Sequence, residues 1–270
     1  MTVFTCRDSF ESILCGVYDA WMSRLGHDQV RLELEGTESL ELFVRYQEVQ
    51  EEVWKSARVS EAVQKKAGRQ VYEQIYRASL SRESEKADRI YRYLIEAFRW
   101  GRRVEDRLAD PAVYELFRMN RQVEREAHHL IEFLRFSRTE SGILYGTIGP
   151  VHDVAVLLAP HFADRLGGEN WVIYDAGRRK AVVHRADGPW FLAQDGDGSL
   201  EQVLKGGEET DAESWEGLWR IFHRHISIAE RENPACQKTH LPLRYRPYMT
   251  EFQRRRPERE GKEAKDDHAV

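Results

Sequence analysis

The chain has 270 residues, of which 32% are charged and 11% aromatic, and its formal net charge is −5. This composition is typical of a globular protein with a heavily solvated surface, and the length is sufficient to bury a hydrophobic core. The negative net charge argues against a protein that coats nucleic acid nonspecifically. A protein with negative net charge can nevertheless have one basic face, because net charge averages over all faces.

The N-terminus has no basic segment followed by an apolar one, so we expect no secretory signal. No apolar run approaches the roughly 20 residues that a membrane span requires. We therefore expect a cytoplasmic protein without membrane contact. Its three cysteines are widely spaced (Cys6, Cys15 and Cys236), which favours reduced thiols over a disulfide framework. The chain contains no cluster of three cysteines that could hold an iron–sulfur centre.

The N-terminal part predicts one helix and two strands. Apolar residues recur at three- and four-residue steps over residues 9–25, with Asp8 or Ser9 as the cap and Gly26 at the end. Residues 31–35 alternate between apolar and polar side chains, as a strand does, and residues 40–44 are predicted to be the partner strand.

Residues 53–138 are almost entirely helical in pattern. We predict helices over 53–66, 69–79 and 84–100, a short helical piece over 104–108, and a long helix over 112–138. Asp110 and Pro111 mark the start of the long helix, since proline fits the first helical position.

The pattern then changes to short strands. Residues 142–148 predict a strand, residues 152–166 a helix, and residues 171–175, 180–184 and 190–193 three strands joined by turn residues. A glycine- and acid-rich loop over 195–209 precedes a further helix over 215–230. The predicted fold class is α+β, largely helical with a small antiparallel sheet. We expect one domain over residues 1–252 (helix-rich 1–138, strand-rich 139–210, helical 211–252) and a disordered tail over 253–270.

Six stretches together resemble a known family. They are residues 10–21, 39–49, 120–135, 157–165, 170–175, and 231–237 with 241–245. The family is the bacterial domain-of-unknown-function family labelled "probable DNA metabolism protein". Its members are found beside a radical-SAM protein or fused to a uracil-DNA glycosylase-like domain. The resemblance covers residues 1–252, in the order of the family.

The resemblance implies a component of DNA repair or DNA modification that acts with the radical-SAM protein as its partner. The lack of cluster cysteines in this chain fits iron–sulfur chemistry that belongs to the partner. Neither a Gly-x-Asp-Pro-Tyr motif nor a His-Pro-Ser-Pro loop is present, so no glycosylase active site is visible.

The long predicted helix carries a polar stripe that could be functional. Glu124, His128 and Glu132 are successive i,i+4 neighbours, so two carboxylates could raise the pKa of His128 and make it an acid/base group. Arg135 lies on the same stripe. The alternative is a solvated, salt-bridged helix face, which is the commoner meaning of this pattern. Glu126 and His128 lie about 200° apart on an ideal helix and cannot share a pocket.

A second candidate lies near residue 161. His161 and Arg165 share a helix face and could bind a phosphate, with Asp175 as a supporting residue. The alternative is a structural histidine, with Arg165 paired to Asp164 or Asp175.

The segment 220–256 is basic and contains aromatic residues, the ingredients of single-strand or flipped-base binding. Arg244, Tyr245 and Arg246 are its candidates, with the tyrosines alternatively serving as core anchors. No metal site or cofactor is predicted. One Glu-x-x-His spacing and one Cys–His pair are too few ligands for a di-iron or zinc centre.

Three hypotheses follow from the resemblance and from these patterns. The leading one is a DNA-repair or DNA-modification component that contacts DNA, single-stranded or damaged, through a basic cleft. In that cleft His128 and His161 are the candidate catalytic groups, and Arg135, Arg165, Arg244, Tyr245 and Arg246 bind nucleic acid. The second is a non-catalytic scaffold for the partner enzyme, because no complete catalytic motif occurs. An independent hydrolase or metal enzyme has the least support.

Overall fold

The structure, a computed structural model, describes residues 1–37, 41–139, 142–195 and 243–249. In chain order its elements are β1 (Thr2–Cys6), α1 (Phe10–Met22), β2 (Val30–Leu34), β3 (Arg45–Glu48), α2 (Val53–Lys66), α3 (Arg69–Ser79), α4 (Lys86–Trp100), α5 (Pro111–Phe133), β4 (Ser137–Arg138), β5 (Leu144–Ile148), α6 (Ala155–Arg165), β6 (Trp171–Asp175), β7 (Lys180–His184) and β8 (Trp190–Gln194). Short 3₁₀ helices occupy His27–Gln29, Gly101–Asp106 and Leu243–Tyr248.

The N-terminal strand is the centre of a small parallel sheet, ordered β2-β1-β3. Helix α1 connects β1 to β2, as a parallel pairing requires. Our prediction that residues 40–44 pair with residues 31–35 is wrong. Phe43 has a φ of 65°, which a strand does not accommodate, and it is 97% exposed. The strand in this part of the sequence is β3, just after residues 40–44, and it pairs with β1 instead of β2.

Helices α2 to α4 begin and end close to the predicted positions. Helices α1 and α5 begin close to them, which local signals explain, but end earlier, at Met22 and Phe133. The Ser9 side chain accepts a hydrogen bond from the Ser12 backbone N–H (3.1 Å), which caps α1. Asp110 does the same for α5 through the Ala112 N–H (2.9 Å), and Pro111 occupies the first helical position. Helix α5 ends at Phe133, before the predicted residue 138, because the backbone at Leu134 is extended.

The second sheet is ordered β4-β5-β6-β7-β8. Three of its pairings are antiparallel, whereas β5 and β6 run parallel because α6 crosses over between them. The predicted helix over 152–166 begins later, at Ala155. The backbone N–H groups of Val151, His152 and Asp153 are bonded to other parts of the molecule, so these residues form a loop.

Two hydrophobic clusters share α5. The first lies between the three-stranded sheet and helices α1–α4, and it includes Leu116 from the first half of α5. The second lies between α6 and the five-stranded sheet, and it includes Val123 and Leu130 from the second half of α5. Helix α5 therefore connects the two halves of the structure.

The α+β class is confirmed. The sheet predicted to be antiparallel is mixed, because β5 and β6 run parallel, and the N-terminal strands form a separate parallel sheet. Residues 196–209 of the predicted loop over 195–209, the predicted helix over 215–230 and the predicted tail over 253–270 lie outside the described residues. The single-domain boundary at residue 252 stays a prediction. None of the helices in the described ranges has both the length and the apolar character that crossing a bilayer requires. Cys6 and Cys15 are buried free thiols.

Candidate functional site

An open cavity of about 830 Å³ lies beside α5. Its walls come from the connection between α3 and α4, from one face of α5, from the loop over 149–154, and from Arg244. The lining residues are Arg82, Glu83, Ser84, Gln122, Arg125, Glu126, His129, Val151, His152 and Arg244. The cavity therefore joins segments that are far apart in the sequence.

Glu126 is the buried centre of this site, since its side chain is only 2% exposed. Its Oε1 accepts hydrogen bonds from the Val151 N–H (2.9 Å), the Tyr245 hydroxyl (2.8 Å) and Arg244 Nη2 (3.2 Å). Its Oε2 accepts one from the His152 N–H (2.6 Å). Four donors thus stabilise a carboxylate that would otherwise be costly to bury.

The sequence of α5 places Glu126 in this position. Val123 and Leu130, three residues before it and four after it, are both buried on the core side of the helix. Residues at these spacings share one helix face, so Glu126 must point the same way. A charged residue within an apolar stripe is therefore turned inward.

The loop over 149–154 is also bound from its other side by Arg178. Arg178 Nη2 donates to the Val151 carbonyl (2.6 Å) and Nη1 to the Pro150 carbonyl (3.2 Å). Nη1 also pairs with Asp175 (3.1 Å), which is completely buried at the end of β6. Burial raises the pKa of Asp175, and the Arg178 guanidinium opposes that effect. The loop is thus fixed between Glu126 and Arg178.

His152 is held in one orientation within the cavity wall. Its Nδ1 accepts a hydrogen bond from the Arg82 backbone N–H (3.1 Å), while its own backbone N–H is bound by Glu126. Burial lowers the pKa of His152; Glu126 and Glu83 act against this, whereas Arg178 and Arg244 lower the pKa further. The ring is therefore neutral at physiological pH.

The cavity carries uncompensated positive charge. Its two acids are already paired, Glu83 with Arg89 and with Arg118 (3.0 Å), and Glu126 with Arg244. Arg82 and Arg125 are exposed, and within the described ranges neither side chain has an ion pair or a hydrogen bond. Among the described residues, these two guanidinium groups of the cavity lining thus have no partner, and such groups bind phosphate or carboxylate.

The predicted stripe on α5 lies outside the cavity. His128 is 71% exposed in its side chain, and its Nε2 lies 3.3 Å from Oε1 of Glu132, whereas Glu124 pairs with Arg77 of α3 (2.9 Å). Arg135 is half-buried and donates to the carbonyls of Glu132 and Leu134 at the end of α5. This arrangement is that of a salt-bridged helix face with a capped C-terminus.

The second predicted group also lies outside the cavity. His161 and Arg165 are exposed on α6, and the His161 ring contacts Phe162 edge-on (5.0 Å between centroids). Asp175, expected to support them, binds Arg178 instead. The structure therefore does not bring His128 and His161 together in the cavity, nor Arg135 and Arg165.

Of the predicted C-terminal residues, Arg244 lines the cavity and Tyr245 anchors the segment. Tyr245 is 2% exposed, so its ring is not accessible to a base. Burial raises the pKa of Tyr245 to about 12, so its hydroxyl stays protonated and donates to Glu126. The side chain of Arg246 lies outside the described residues.

A metal centre receives no support from the described parts of the chain. They contain no group of three or more histidine, cysteine, aspartate or glutamate side chains arranged to hold a metal ion. Cys236 and His240 lie outside those parts. The arrangement at the cavity is suited to binding an anion.

A family model described as a domain of unknown function, DUF4130, matches residues 84–251. This is more than half of the chain. The protein belongs to the DUF4130 family. The DUF4130 segment contains α4 to α6, the five-stranded sheet, and the residues that form the Glu126 network. Arg82 and Glu83 of the cavity lie immediately before the DUF4130 match. No curated protein matches the chain.

Most of these cavity residues are absent from the sequence-based predictions. Glu126 could have been recognised, because a carboxylate at a core position of an amphipathic helix requires buried donors. Arg82, Arg125 and His152 give no such signal, since they lie in a loop or on exposed helix positions. Their proximity follows from the tertiary fold alone.

Proposed function

We propose that this protein is a component of DNA repair or DNA modification that acts with a radical-SAM partner, and that it contacts nucleic acid through the cavity beside α5. The observation that carries the proposal is the pair of guanidinium groups, Arg82 and Arg125, which have no partner in the described part of the chain and line a cavity whose acids are already paired. The basic cleft of the leading hypothesis is thus reassigned to this cavity.

The cavity has the properties that a phosphate backbone requires. Guanidinium groups match two phosphate oxygens at once, and most of the affinity for nucleic acid comes from neutralised phosphates. Arg244 adds a third guanidinium at the same cavity, half-exposed and oriented by Glu126. The overall charge of −5 does not oppose this, because a bound strand senses the local potential.

The role in DNA metabolism and the radical-SAM partner are supported by the resemblance of six sequence stretches to the family labelled "probable DNA metabolism protein". Four of these stretches fall within residues 84–251, where the DUF4130 model matches. One of them ends at Tyr245 and contains Arg244, and another contains Glu126. The resemblance and the cavity therefore share the α5 residues and Arg244, whereas Arg82 and His152 lie outside the resembling stretches.

Salt-dependent binding of single-stranded DNA tests the nucleic-acid contact. We expect the Arg82→Ala/Arg125→Ala double variant to bind more weakly and to reduce the salt slope by about 0.7 for each phosphate contact that is lost. The matched control is Arg69→Ala, because Arg69 is exposed on α3, pairs with Glu73 and lies outside the cavity lining. Equal binding by wild type and double variant would contradict the proposal for this cavity.

A parallel variant separates the cavity from the site predicted by sequence. Arg165→Ala removes an exposed arginine of α6 that lies outside the cavity. We expect this variant to bind DNA as the wild type does. If Arg165→Ala weakens binding and the double variant does not, the contact lies on α6.

Co-purification with the radical-SAM partner tests the second part of the proposal. We expect the double variant to bind the partner normally but to fail in a cellular DNA-repair assay, because only DNA contact is impaired. Normal partner binding together with full cellular activity would favour the non-catalytic scaffold. Failure of the wild type to bind the partner would remove the partner from the proposal.

A further inference from the structure

The tautomer of His152 is determined by its surroundings. Its Nδ1 accepts the Arg82 backbone N–H, so Nδ1 carries no proton. In a neutral imidazole the proton must then be on Nε2. His152 therefore presents an N–H donor rather than a positive charge to a ligand.

The position of His152 is fixed as firmly as its tautomer. The loop that carries it is bound by Glu126 on one side and by Arg178 on the other. The next residue, Asp153, donates its N–H to the Leu80 carbonyl (2.9 Å) and pairs with Lys180 (2.6 Å). A donor held in this way loses little conformational entropy when it binds a ligand.

The cavity is lined by two kinds of polar group. Arg82 and Arg125 provide charge for an anion, whereas His152 provides a neutral donor for an uncharged acceptor. A simple phosphate ion would need only the first kind. The presence of both favours a ligand that has an anionic end and a polar, uncharged end.

The size of the cavity supports the same conclusion. Sites for small molecules typically occupy about 300–1,000 Å³, and this cavity of about 830 Å³ lies in that range. The half-buried His129 ring lies in its wall, and histidine rings and guanidinium planes are surfaces on which nucleobases stack.

We propose that the cavity binds one phosphorylated nucleoside unit, with the phosphate on Arg82 and Arg125 and a sugar or base acceptor on the Nε2–H of His152. This inference rests on the proposed function, for which it specifies the ligand. The unit has two possible sources with the same chemistry: a free nucleotide, or a single nucleotide of a DNA strand turned into the cavity.

Calorimetric titration of the full chain tests this ligand class with four probes. They are a deoxynucleoside 5′-monophosphate, the same deoxynucleoside, inorganic phosphate and a short single-stranded oligonucleotide. We expect the monophosphate to bind roughly tenfold or more tightly than either of its parts, because it uses both kinds of group. Equal affinity of the monophosphate and inorganic phosphate would overturn the inference.

The His152→Asn variant tests the neutral donor without disturbing the loop. The Asn Oδ1 atom replaces Nδ1 as the acceptor for Arg82, whereas nothing replaces the Nε2–H. We expect the affinity for the monophosphate to fall roughly tenfold and the affinity for inorganic phosphate to remain unchanged. The control is His128→Asn on the exposed face of α5. Unchanged monophosphate affinity in His152→Asn would refute the role of His152.

Nitrogen-15 NMR of the histidine rings gives a second readout that does not depend on folding of a variant. We expect the His152 proton on Nε2, and a shift of this resonance when the monophosphate is added. A proton on Nδ1 would overturn the inference.

The oligonucleotide separates this inference from the proposed function. If the oligonucleotide binds through Arg82 and Arg125 but the monophosphate does not, the DNA contact stands and the nucleotide-unit inference fails. If the monophosphate binds but the oligonucleotide does not, the source is a free nucleotide and the proposed DNA contact fails.

Discussion

Replacement of Glu126 by glutamine preserves the shape of the side chain but turns one oxygen into an amide that donates hydrogen bonds. Both carboxylate oxygens accept hydrogen bonds in the wild type, three on Oε1 and one on Oε2. The least costly arrangement places the amide at Oε2, where it meets the N–H of His152. One buried donor then loses its acceptor.

The expected cost follows from that one donor. An unsatisfied buried N–H costs about 1–3 kcal/mol, and loss of the charge opposite the half-exposed Arg244 adds little because water solvates the guanidinium. With about 2–4 °C of Tm per kcal/mol in a chain of this size, we expect Tm to fall by about 2–12 °C. The fold survives, since total stability is about 5–15 kcal/mol.

Thermal unfolding at neutral pH, followed by circular dichroism, measures this change. Hydrogen exchange of the His152 amide shows whether the loss is local. The control is Glu132→Gln on the exposed side of α5, which we expect to change stability by less than about 0.5 kcal/mol. An unchanged Tm, together with full protection of the His152 amide, would refute the reasoning that Glu126 holds the loop.

Two further predictions concern the same loop. The folded-state pKa of His152 lies below its ordinary value of 6.5, so the unfolded chain binds the proton more readily. The neutral His152 ring therefore contributes fully to the free energy of unfolding above about pH 6.5, and this contribution is lost as the pH falls below that value. We expect the free energy of unfolding, measured by denaturant titration, to depend less on acid pH in His152→Asn. Gly149→Ala places a methyl group on the ring of Tyr248, and we expect calorimetry to show a loss of about 1–3 kcal/mol from overpacking.

Controls for these two predictions are available in the chain. His128→Asn changes an exposed histidine, and we expect it to keep the acid dependence of the wild type. Gly168→Ala adds a methyl group that meets no atom within 4 Å, so we expect stability close to that of the wild type. Equal acid dependence in His152→Asn, or equal stability of Gly149→Ala and Gly168→Ala, would contradict the respective prediction.

Local periodicity predicted most of the helices, because their apolar faces and caps are encoded within a few residues. Ser9 and Asp110 mark the starts of α1 and α5 as expected. Strand β1 shows no alternation in the sequence, because it is the central strand of a parallel sheet and Val3 to Cys6 are all buried. Strand β3 is largely exposed and lacks an apolar alternation, so the neighbouring residues 40–44 were assigned in its place.

The cavity was missed for a different reason. Glu126 and His128 lie about 200° apart on an ideal helix, and the polar stripe of α5 favours the side of His128 as the site. The structure shows that the side of Glu126 is the buried one. The hydrogen bonds of Glu126 reach residues 25 and 119 positions away. Contacts over such separations depend on chain topology, which residue spacing does not contain.

The continuous core around α4 has a consequence for work with fragments of the chain. Helix α4 buries Ile90, Tyr91 and Leu94 completely, in a cluster shared with β1, β2 and α1. A polypeptide cut at Ser84, where the family match begins, would expose this apolar face to water and would also lose the guanidinium of Arg82. Such a fragment is expected to aggregate, and its failure to bind a ligand would say nothing about the intact protein.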